Sequence, residues 1–226
     1  MTAISLKVTG DGSHTLYHPE LEETYHSTHG ALTESMYVFI TQGLDYWHIH
    51  YPDKPVSILE VGLGTGLNAI LALQWSMIHQ VPVTYTTLEP YPLPAKIVDQ
   101  LNYMDFFNIA EMKAVFKQIH QCSWQDWHQF LPLFNFQKRK EKLEEATLEE
   151  YDVIFFDAFA PNRQSDVWEA QNIEKIAVAM KPGSLLVSYC AQGQFKRNLL
   201  SAGLPFDSLP GPPGKKQMVR AIKEEK

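Results

Sequence analysis

A loop of alternating glycines is the most informative chemical feature of this 226-residue chain. An acid, Glu60, and an apolar run precede the loop, which reads Gly-Leu-Gly-Thr-Gly from Gly62 to Gly66. Glycine has no Cβ and adopts positive φ angles at little cost, so such a loop lets a ligand approach the backbone closely. Dinucleotide-binding folds usually spell the loop Gly-x-Gly-x-x-Gly, whereas this one is Glu-x-Gly-x-Gly-x-Gly. The residues predicted to bind a ligand here are Glu60, Gly62, Gly64, Thr65, Gly66 and Asn68.

A second acid, Glu89, ends the next β-rich run, Val83–Leu88. A carboxylate at the tip of the neighbouring strand can accept hydrogen bonds from both hydroxyls of an unphosphorylated ribose. An ordinary βαβ unit without a ligand can also contain a glycine loop and an acid. Together, the two signals favour an adenosine cofactor.

A third carboxylate, Asp157, follows the apolar run Tyr151–Phe156 and begins the sequence Asp-Ala-Phe-Ala-Pro. Because ligands of open parallel sheets bind outside the carboxyl ends of the strands, we expect Asp157 to lie near the glycine loop and Glu89. Asp157 would orient a substrate amine, with or without accepting its proton, and Phe159 would stack on a flat base or line the pocket. The alternatives are a helix N-cap or turn for Asp157 and core packing for Phe159.

Four blocks of sequence resemble the MnmC/MnmD-type tRNA methyltransferase family. The loop spelling itself resembles motif I of class I S-adenosylmethionine-dependent methyltransferases. The blocks are His26-Ser27-x-x-Gly30-Ala31-x-x-Glu34-Ser35, the segment from Glu60 to Asn68, Asp157 to Pro161 with Trp168, and Pro213 to Ala221.

The resemblance implies methyl transfer from S-adenosylmethionine to the 5-aminomethyl amine of 2-thiouridine at the wobble position of tRNA, position 34. The product would be 5-methylaminomethyl-2-thiouridine. In the bifunctional members of the family, an oxidase half binds flavin and removes a carboxymethyl group. Since that oxidase half would need several hundred more residues, we expect no flavin role in this chain and a functional link to a separate oxidase.

Two other functional classes stay open. One is an aminopropyltransferase or another small-molecule amine transferase on the same fold, and the other is a non-catalytic module that binds cofactor or RNA. Labelled methyl incorporated into undermodified tRNA distinguishes our prediction from both.

Adenine and tRNA contacts are predicted less directly. The family commonly has a Gly-Asp pair near the tip of the third strand, where we expect either Trp124 to stack on adenine or Asp126 to accept its amino group. The residues predicted to contact substrate or tRNA are Glu34, Arg163, Lys215, Lys216 and Arg220, and solvated surface charge is the alternative for each. Recognition would depend on shape and on a splayed anticodon-loop base.

Composition limits the class of protein. A formal net charge of −7 argues against bulk attraction to nucleic acid, so any tRNA contact must be local. No apolar run is long enough to span a membrane and no signal peptide is visible, which predicts a cytoplasmic protein. The pairs His26 with His29 and His48 with His50 have no carboxylate at a metal-ligand spacing, so no metal site is expected.

The alternation of apolar runs and amphipathic stretches predicts an α/β, Rossmann-like fold. We expect one methyltransferase domain over residues 1–226, with an N-terminal extension (1–50) packing on it and an exposed charged insertion at 137–150. The sheet would be mostly parallel and seven-stranded, with helices on both faces. Its predicted strands are 56–61, 83–88, 115–120, 151–156, 184–189, 206–209 and 217–222, and the predicted helices include 33–48, 67–78, 124–134, 167–180 and 195–202.

Overall fold

An eight-stranded sheet forms the centre of the fold in the computed structural model, which describes residues 4–107 and 109–225. The strands are β1 Ser5–Val8, β2 His14–His18, β3 Glu23–Thr24, β4 Val56–Val61, β5 Val83–Leu88, β6 Trp127–Leu131, β7 Phe134–Arg139, β8 Tyr151–Phe156, β9 Met180–Ser188, β10 Phe206–Pro210 and β11 Gln217–Ile222. The α-helices are α1 Ala31–Ser35, α2 Tyr46–His50, α3 Leu67–His79, α4 Ala95–Val98, α5 Ala110–Gln121, α6 Ala170–Ala179 and α7 Gly193–Ser201.

The order of strands across the large sheet is β10-β11-β9-β8-β4-β5-β7-β6. β7, β5, β4, β8 and β9 run parallel, and antiparallel strands close both edges. The chain order reverses between β4 and β8, which is where open α/β sheets bind ligands. The predicted Rossmann-like, mostly parallel sheet is confirmed, with β6 as one strand more than expected.

Apolar side chains alternate between the two faces of this sheet. On β8, Val153 and Phe155 belong to one buried cluster, while Ile154 and Phe156 belong to the other. This alternation follows from the two-residue period of a strand, and helices cover each cluster. Because both faces are buried, apolar residues occur on both faces of the central strands, and β8 is apolar at every position except Asp152.

The region 110–139 corrects two predictions. Residues 115–120, predicted as a strand, belong to helix α5, because Met112, Val115, Phe116 and Ile119 recur at helical spacing and are all buried. Residues 124–134, predicted as a helix, form a turn and most of the hairpin β6–β7. In β7 the buried residues alternate instead, beginning with Phe134 and Phe136.

The predicted charged insertion at 137–150 is wrong for its first three residues. Residues 137–139 complete β7 and pair with β5, and Lys138 is only 1% exposed. The Lys138 ammonium donates to the His120 carbonyl and lies 4.5 Å from the centre of the Trp124 ring. The tip of the third strand, where adenine contacts were predicted, was expected near residue 124. The third parallel strand counted outward from β8 is β7, whose carboxyl end lies just before Lys140.

The N-terminal region contributes a small sheet, β1-β2-β3, and then a long helix. Helix α1, the π-helical segment Met36–Asp45 and α2 follow one another directly over residues 31–50, in agreement with the predicted helix at 33–48. This helix packs on the large sheet, with the ring centres of Phe39 and Phe155 5.1 Å apart. Within the described ranges, no helix is long and apolar enough to cross a membrane.

Candidate active site

A cavity of about 750 Å³ opens at the carboxyl ends of β4, β5, β7 and β8. Its wall includes Gly62, Gly64, Glu89, Asp157 and Phe159, which the sequence placed at three separate strand tips. The volume is in the range of small-molecule sites. The topology rule for parallel sheets therefore brings the predicted loop and two of the predicted acids to one place.

The glycine loop depends on the absence of side chains. Gly62, Gly64 and Gly66 have φ angles of 96°, 49° and 75°, in the left-handed region that favours glycine. A Cβ on Gly62 would lie 2.8 Å from the carbonyl oxygen of Asp157. The loop of β4 and the turn after β8 thus touch through backbone atoms.

Thr65, in the middle of the loop, is held by three side chains that sequence reasoning did not connect to it. Tyr103 donates from its hydroxyl to Thr65 Oγ1 at 3.1 Å, His26 Nε2 lies 3.5 Å from the same oxygen, and His120 Nε2 lies 3.1 Å from the Thr65 carbonyl. Burial lowers the pKa of both histidines to about 4, so they are neutral at pH 7. His120 therefore supplies a neutral N–H to that carbonyl, and the three residues stabilise the loop.

Glu89 is well placed to bind hydroxyl groups. Its carboxylate accepts the backbone N–H of Gly64 at 2.9 Å and of Tyr91 at 2.8 Å, which fixes both oxygens at the cavity wall. Each oxygen keeps a further acceptor site. Burial raises the pKa of Glu89, and the two backbone N–H groups oppose this by favouring the carboxylate.

The predicted cofactor, S-adenosylmethionine, fits these residues. The side-chain-free loop admits a ligand close to backbone, Glu89 has free acceptor sites for ribose hydroxyls, and the volume suffices for one small molecule. The donor set contains no group that would require a metal. Among the described residues, no cluster of three or more His, Cys, Asp or Glu side chains has the arrangement of a metal site.

Glu60 differs from the other predicted acids, since it does not line the cavity. It is 0% exposed and lies beneath the loop, and burial raises the pKa of its carboxyl to about 8. The acid is therefore mostly neutral at pH 7. Because Glu60 does not line the cavity, its contact with the cofactor stays a prediction.

Asp157 follows β8, on the other side of β4 from the strand that Glu89 follows. Asn68 Nδ2 donates to Asp157 Oδ2 at 2.7 Å, so the first turn of α3 connects the glycine loop to this carboxylate. Burial, followed by the nearby charge of Glu34, raises the pKa of Asp157 to about 7. No helix begins at this position in the described chain, which excludes the N-cap alternative.

Phe159 faces the cavity and is only partly buried, which excludes simple core packing. Its ring meets Tyr25 edge to face, with centres 4.8 Å apart, and His18 lies 6.1 Å away. The Trp168 indole donates to the Phe159 carbonyl at 2.7 Å. Aromatic side chains from the N-terminal region thus help to form the wall where a flat base would pack.

Trp124 and Asp126 lie outside the cavity, which corrects the predicted adenine contacts. They occupy the turn before β6, where Asp126 accepts a hydrogen bond from Ser123 Oγ at 2.7 Å. The cavity wall near the β7 tip is instead residues 140–144, and Glu141 there pairs with Arg139. The alternation of apolar Phe134 and Phe136 with polar residues was the sequence signal that would have located β7 and its tip.

Arg220 is an internal residue, which corrects its predicted tRNA contact. It is 9% exposed, its guanidinium lies 3.5 Å over the Tyr46 ring, and it donates to Gln42 Oε1 at 3.2 Å. Its ion pair with Asp207 spans 3.5 Å. Strand β11 places this side chain against the helix of residues 31–50, so it stabilises the fold.

The remaining predicted tRNA residues have different surroundings. Arg163 lines the cavity, where its Nη1 lies 3.4 Å from Glu22 Oε2, and Lys216 is exposed. Lys215 forms an ion pair with Glu34, which is only 4% exposed. Of these four, Lys216 is the exposed one, while Arg163 is partly exposed and paired with Glu22 and Glu23.

Comparison with known proteins identifies a family. A family model described as S-adenosyl-L-methionine-dependent methyltransferase matches residues 107–224. The tRNA 5-methylaminomethyl-2-thiouridine biosynthesis bifunctional protein MnmC of Cupriavidus necator is 26% identical over 217 residues, covering 91% of this chain and 32% of that protein. The protein of the same name from Nitrosospira multiformis is 27% identical, over 91% of this chain and 35% of its own length. This chain therefore spans about a third of these curated relatives.

The fold has a counterpart among solved structures. The crystal structure of MNMC2 from Aquifex aeolicus superposes with a TM-score of 0.79, at 21% identity, over 100% of this chain and 72% of that chain. At this level of identity the similarity establishes the shared fold.

Proposed function

We propose, because this chain belongs to the family of S-adenosyl-L-methionine-dependent methyltransferases, that it methylates the 5-aminomethyl amine of wobble 2-thiouridine 34 in tRNA. The product is 5-methylaminomethyl-2-thiouridine, the nucleoside in the name of the MnmC relatives. The observation that carries the proposal is Asp157, a carboxylate held at the cavity wall by Asn68, two residues before the partly buried Phe159.

The reaction requires alignment more than activation. S-adenosylmethionine supplies a methyl group already activated by a sulfonium, so an amine lone pair is a sufficient nucleophile. Asp157 accepts a hydrogen bond from the acceptor amine, which orients the lone pair, and it can hold the proton that the amine loses. Phe159 packs against the uridine ring, and the loop from Gly62 to Gly66 borders the same cleft.

The acceptor reaches this cleft as a splayed anticodon-loop base, because a stacked base could not bring its amine to Asp157. With a net charge of −7, the protein attracts tRNA only through local contacts, of which Arg163 and Lys216 are the proposed ones. The activity belongs in the cytoplasm, and a separate oxidase that removes a carboxymethyl group supplies the amine.

The direct test is incorporation of labelled methyl into tRNA. Purified protein with labelled S-adenosylmethionine and tRNA that carries 5-aminomethyl-2-thiouridine should give 5-methylaminomethyl-2-thiouridine in a digest analysed by mass spectrometry. The matched control is the same tRNA with an unmodified wobble uridine, which should gain no label. Absence of transfer at saturating substrate would reject the function, and aminopropyl transfer from decarboxylated cofactor to a polyamine precursor would support the aminopropyltransferase instead.

The pH profile of this reaction should report Asp157. Burial raises the pKa of its carboxyl from 3.8 to about 7, so kcat/KM should rise with pH and level off above about pH 7 as the carboxylate forms. Stability should move the other way. The unfolded chain ionises this group near 3.8 and the folded one near 7, so its contribution to folding decreases as pH rises through that window.

Rates measured from about pH 5.5 to 8.5 check the sign, since kcat/KM near neutral pH follows groups of the free enzyme and substrate. Asp157→Asn separates the carboxylate from the acceptor amine, because any rise that persists in this variant belongs to the amine. A wild-type profile that is flat between pH 6 and 8 would contradict the assignment.

A further inference from the structure

Three side chains outside the cavity lie directly behind the Asp157 turn. Glu34 comes from helix α1, Lys215 from the connection between β10 and β11, and Tyr189 from the residue after β9. The Lys215 ammonium pairs with the Glu34 carboxylate and lies 3.6 Å from the centre of the Tyr189 ring. An ammonium at this distance over an aromatic face is attracted by the ring.

Tyr189 connects this pair to the reactive turn. Its hydroxyl donates to the Ala158 carbonyl at 2.8 Å, and Ala158 lies between Asp157 and Phe159 in sequence. The Lys215 ammonium holds the Tyr189 ring, and the Ala158 carbonyl holds the Tyr189 hydroxyl. The direction of the Ala158 peptide, and hence of its two neighbours, depends on this contact.

The Glu34 side chain is buried, so its ion pair with Lys215 is not an ordinary surface ion pair. It is only 5% exposed, and its second oxygen accepts the backbone N–H of Ser27. The two residues before Ser27, Tyr25 and His26, line the cavity. A buried carboxylate is costly unless it is paired and hydrogen-bonded. With both oxygens engaged inside the protein, Glu34 has no geometry for the tRNA contact that the sequence predicted, and its ion pair holds the partly exposed Lys215.

We propose that Glu34, Lys215 and Tyr189 are positioning residues for methyl transfer, which hold the Ala158 carbonyl and so orient Asp157 and Phe159 toward the acceptor. The inference rests on the proposed function, because it requires the acceptor amine to bind at this turn. It assigns Lys215 to the support of the Asp157 turn instead of to tRNA phosphate.

The pair also acts on Asp157 through charge, with opposite signs. Glu34 raises the pKa of Asp157 and Lys215 lowers it. The other titratable or polar side chains that face or influence Asp157 come from different elements and remain unchanged in the variants below that alter charge. They are Asn68 on α3, Glu60 on β4, Tyr85 on β5 and Tyr189 after β9.

Single substitutions test the three roles. Tyr189→Phe keeps the ring under the ammonium and removes only the donor to Ala158, and we expect kcat to fall by roughly tenfold. Glu34→Gln and Lys215→Met should lower kcat at least as much. The KM for S-adenosylmethionine should stay within about twofold for all three variants, because none of these residues lines the cavity. Lys215→Arg, which keeps a cation for both the ring and the carboxylate, should recover most of the rate.

The pH profile adds a readout that loss of packing would not produce. Its midpoint should move to lower pH in Glu34→Gln and to higher pH in Lys215→Met. Lys54→Met is the matched control, since it also removes an ammonium over a tyrosine ring. The Lys54 ammonium lies 4.8 Å from the centre of the Tyr51 ring, and Lys54 precedes β4, at the end of the sheet opposite the cavity. This control should leave rate and profile unchanged.

The outcomes separate the inference from the proposed function. Wild-type protein that transfers no methyl to tRNA would reject the function itself. If the wild-type protein is active and both Lys215→Met and Tyr189→Phe transfer methyl at the rate of Lys54→Met, the inference is overturned. A higher KM for tRNA with unchanged kcat and an unshifted profile would also overturn it, in favour of direct tRNA contact. Thermal unfolding of each variant shows which rates belong to folded protein, and Tyr189→Phe keeps the test decisive if the charge variants do not fold.

Discussion

Asp157→Asn is expected to reduce methyl transfer about a thousandfold while cofactor affinity changes by no more than about twofold. The amide has the size of the carboxylate but cannot take a proton from the amine. Asn68 Nδ2 donates to Asp157 Oδ2 at 2.7 Å in the wild type. In the variant it would donate to an amide oxygen, which is less basic than the carboxylate oxygen. The predicted cofactor contacts of the glycine loop and Glu89 do not involve the Asp157 side chain, so they should persist.

Single-turnover rates with undermodified tRNA and calorimetric binding of S-adenosylhomocysteine check this expectation. Asp105→Asn, at an exposed position, is the control for a general loss of charge. Asp157→Ala discriminates the remaining classes, since a non-catalytic binding module would keep its function in that variant. A rate for Asp157→Asn above about a tenth of wild type would leave the carboxylate with a packing role only.

The central strands were predictable because their signal is local. The run Tyr151–Phe156 is apolar at every position but one, and a strand buried on both faces has this pattern whatever its neighbours are. The helix of residues 31–50 and strand β11 likewise carried their own periodicity. The region 110–139 also carries periodicity, but its apolar stretches are short, and such stretches suit a helix or a strand almost equally until their partners are known.

The site was predictable to the extent that topology determines it. Once β4, β5 and β8 are parallel neighbours, their tips must meet, which is why the glycine loop, Glu89 and Asp157 share one cavity. Contacts between distant segments have no such rule. Nothing in the sequence joins Tyr103 and His120 to Thr65, and a basic residue such as Arg220 reads as surface until its strand is packed under a helix.

Whether burial converts an acid into a neutral group also depends on the fold. Glu60 and Asp157 look alike in sequence, each at the end of an apolar run, yet only Asp157 faces the cavity. Glu60 lies one residue before the end of β4, is fully buried and has a pKa raised to about 8. Glu60 pairs with Phe155 across β4 and β8, so Asp157 lies two residues further along its strand, beyond the last paired residue, where it reaches the cavity.

Gly62→Ala should abolish methyl transfer and weaken S-adenosylhomocysteine binding by more than about tenfold, with a loss of roughly 2–4 kcal/mol in the free energy of unfolding. The new Cβ would lie 2.8 Å from the Asp157 carbonyl oxygen, and a backbone atom cannot rotate away as a side chain would. Relief requires the glycine loop or the Asp157 turn to move, and the site needs both in place.

Gly203→Ala isolates this steric effect from backbone strain. Gly203 has a φ of 74°, also in the left-handed region, but a Cβ there would meet nothing within 4 Å. It should therefore cost only the conformational penalty of about 1 kcal/mol and leave transfer intact. Urea unfolding and cofactor titration of both variants give the comparison. Equal losses of stability with cofactor binding retained in both would mean that the loop tolerates a side chain, and that contact between the β4 loop and the Asp157 turn does not shape the site.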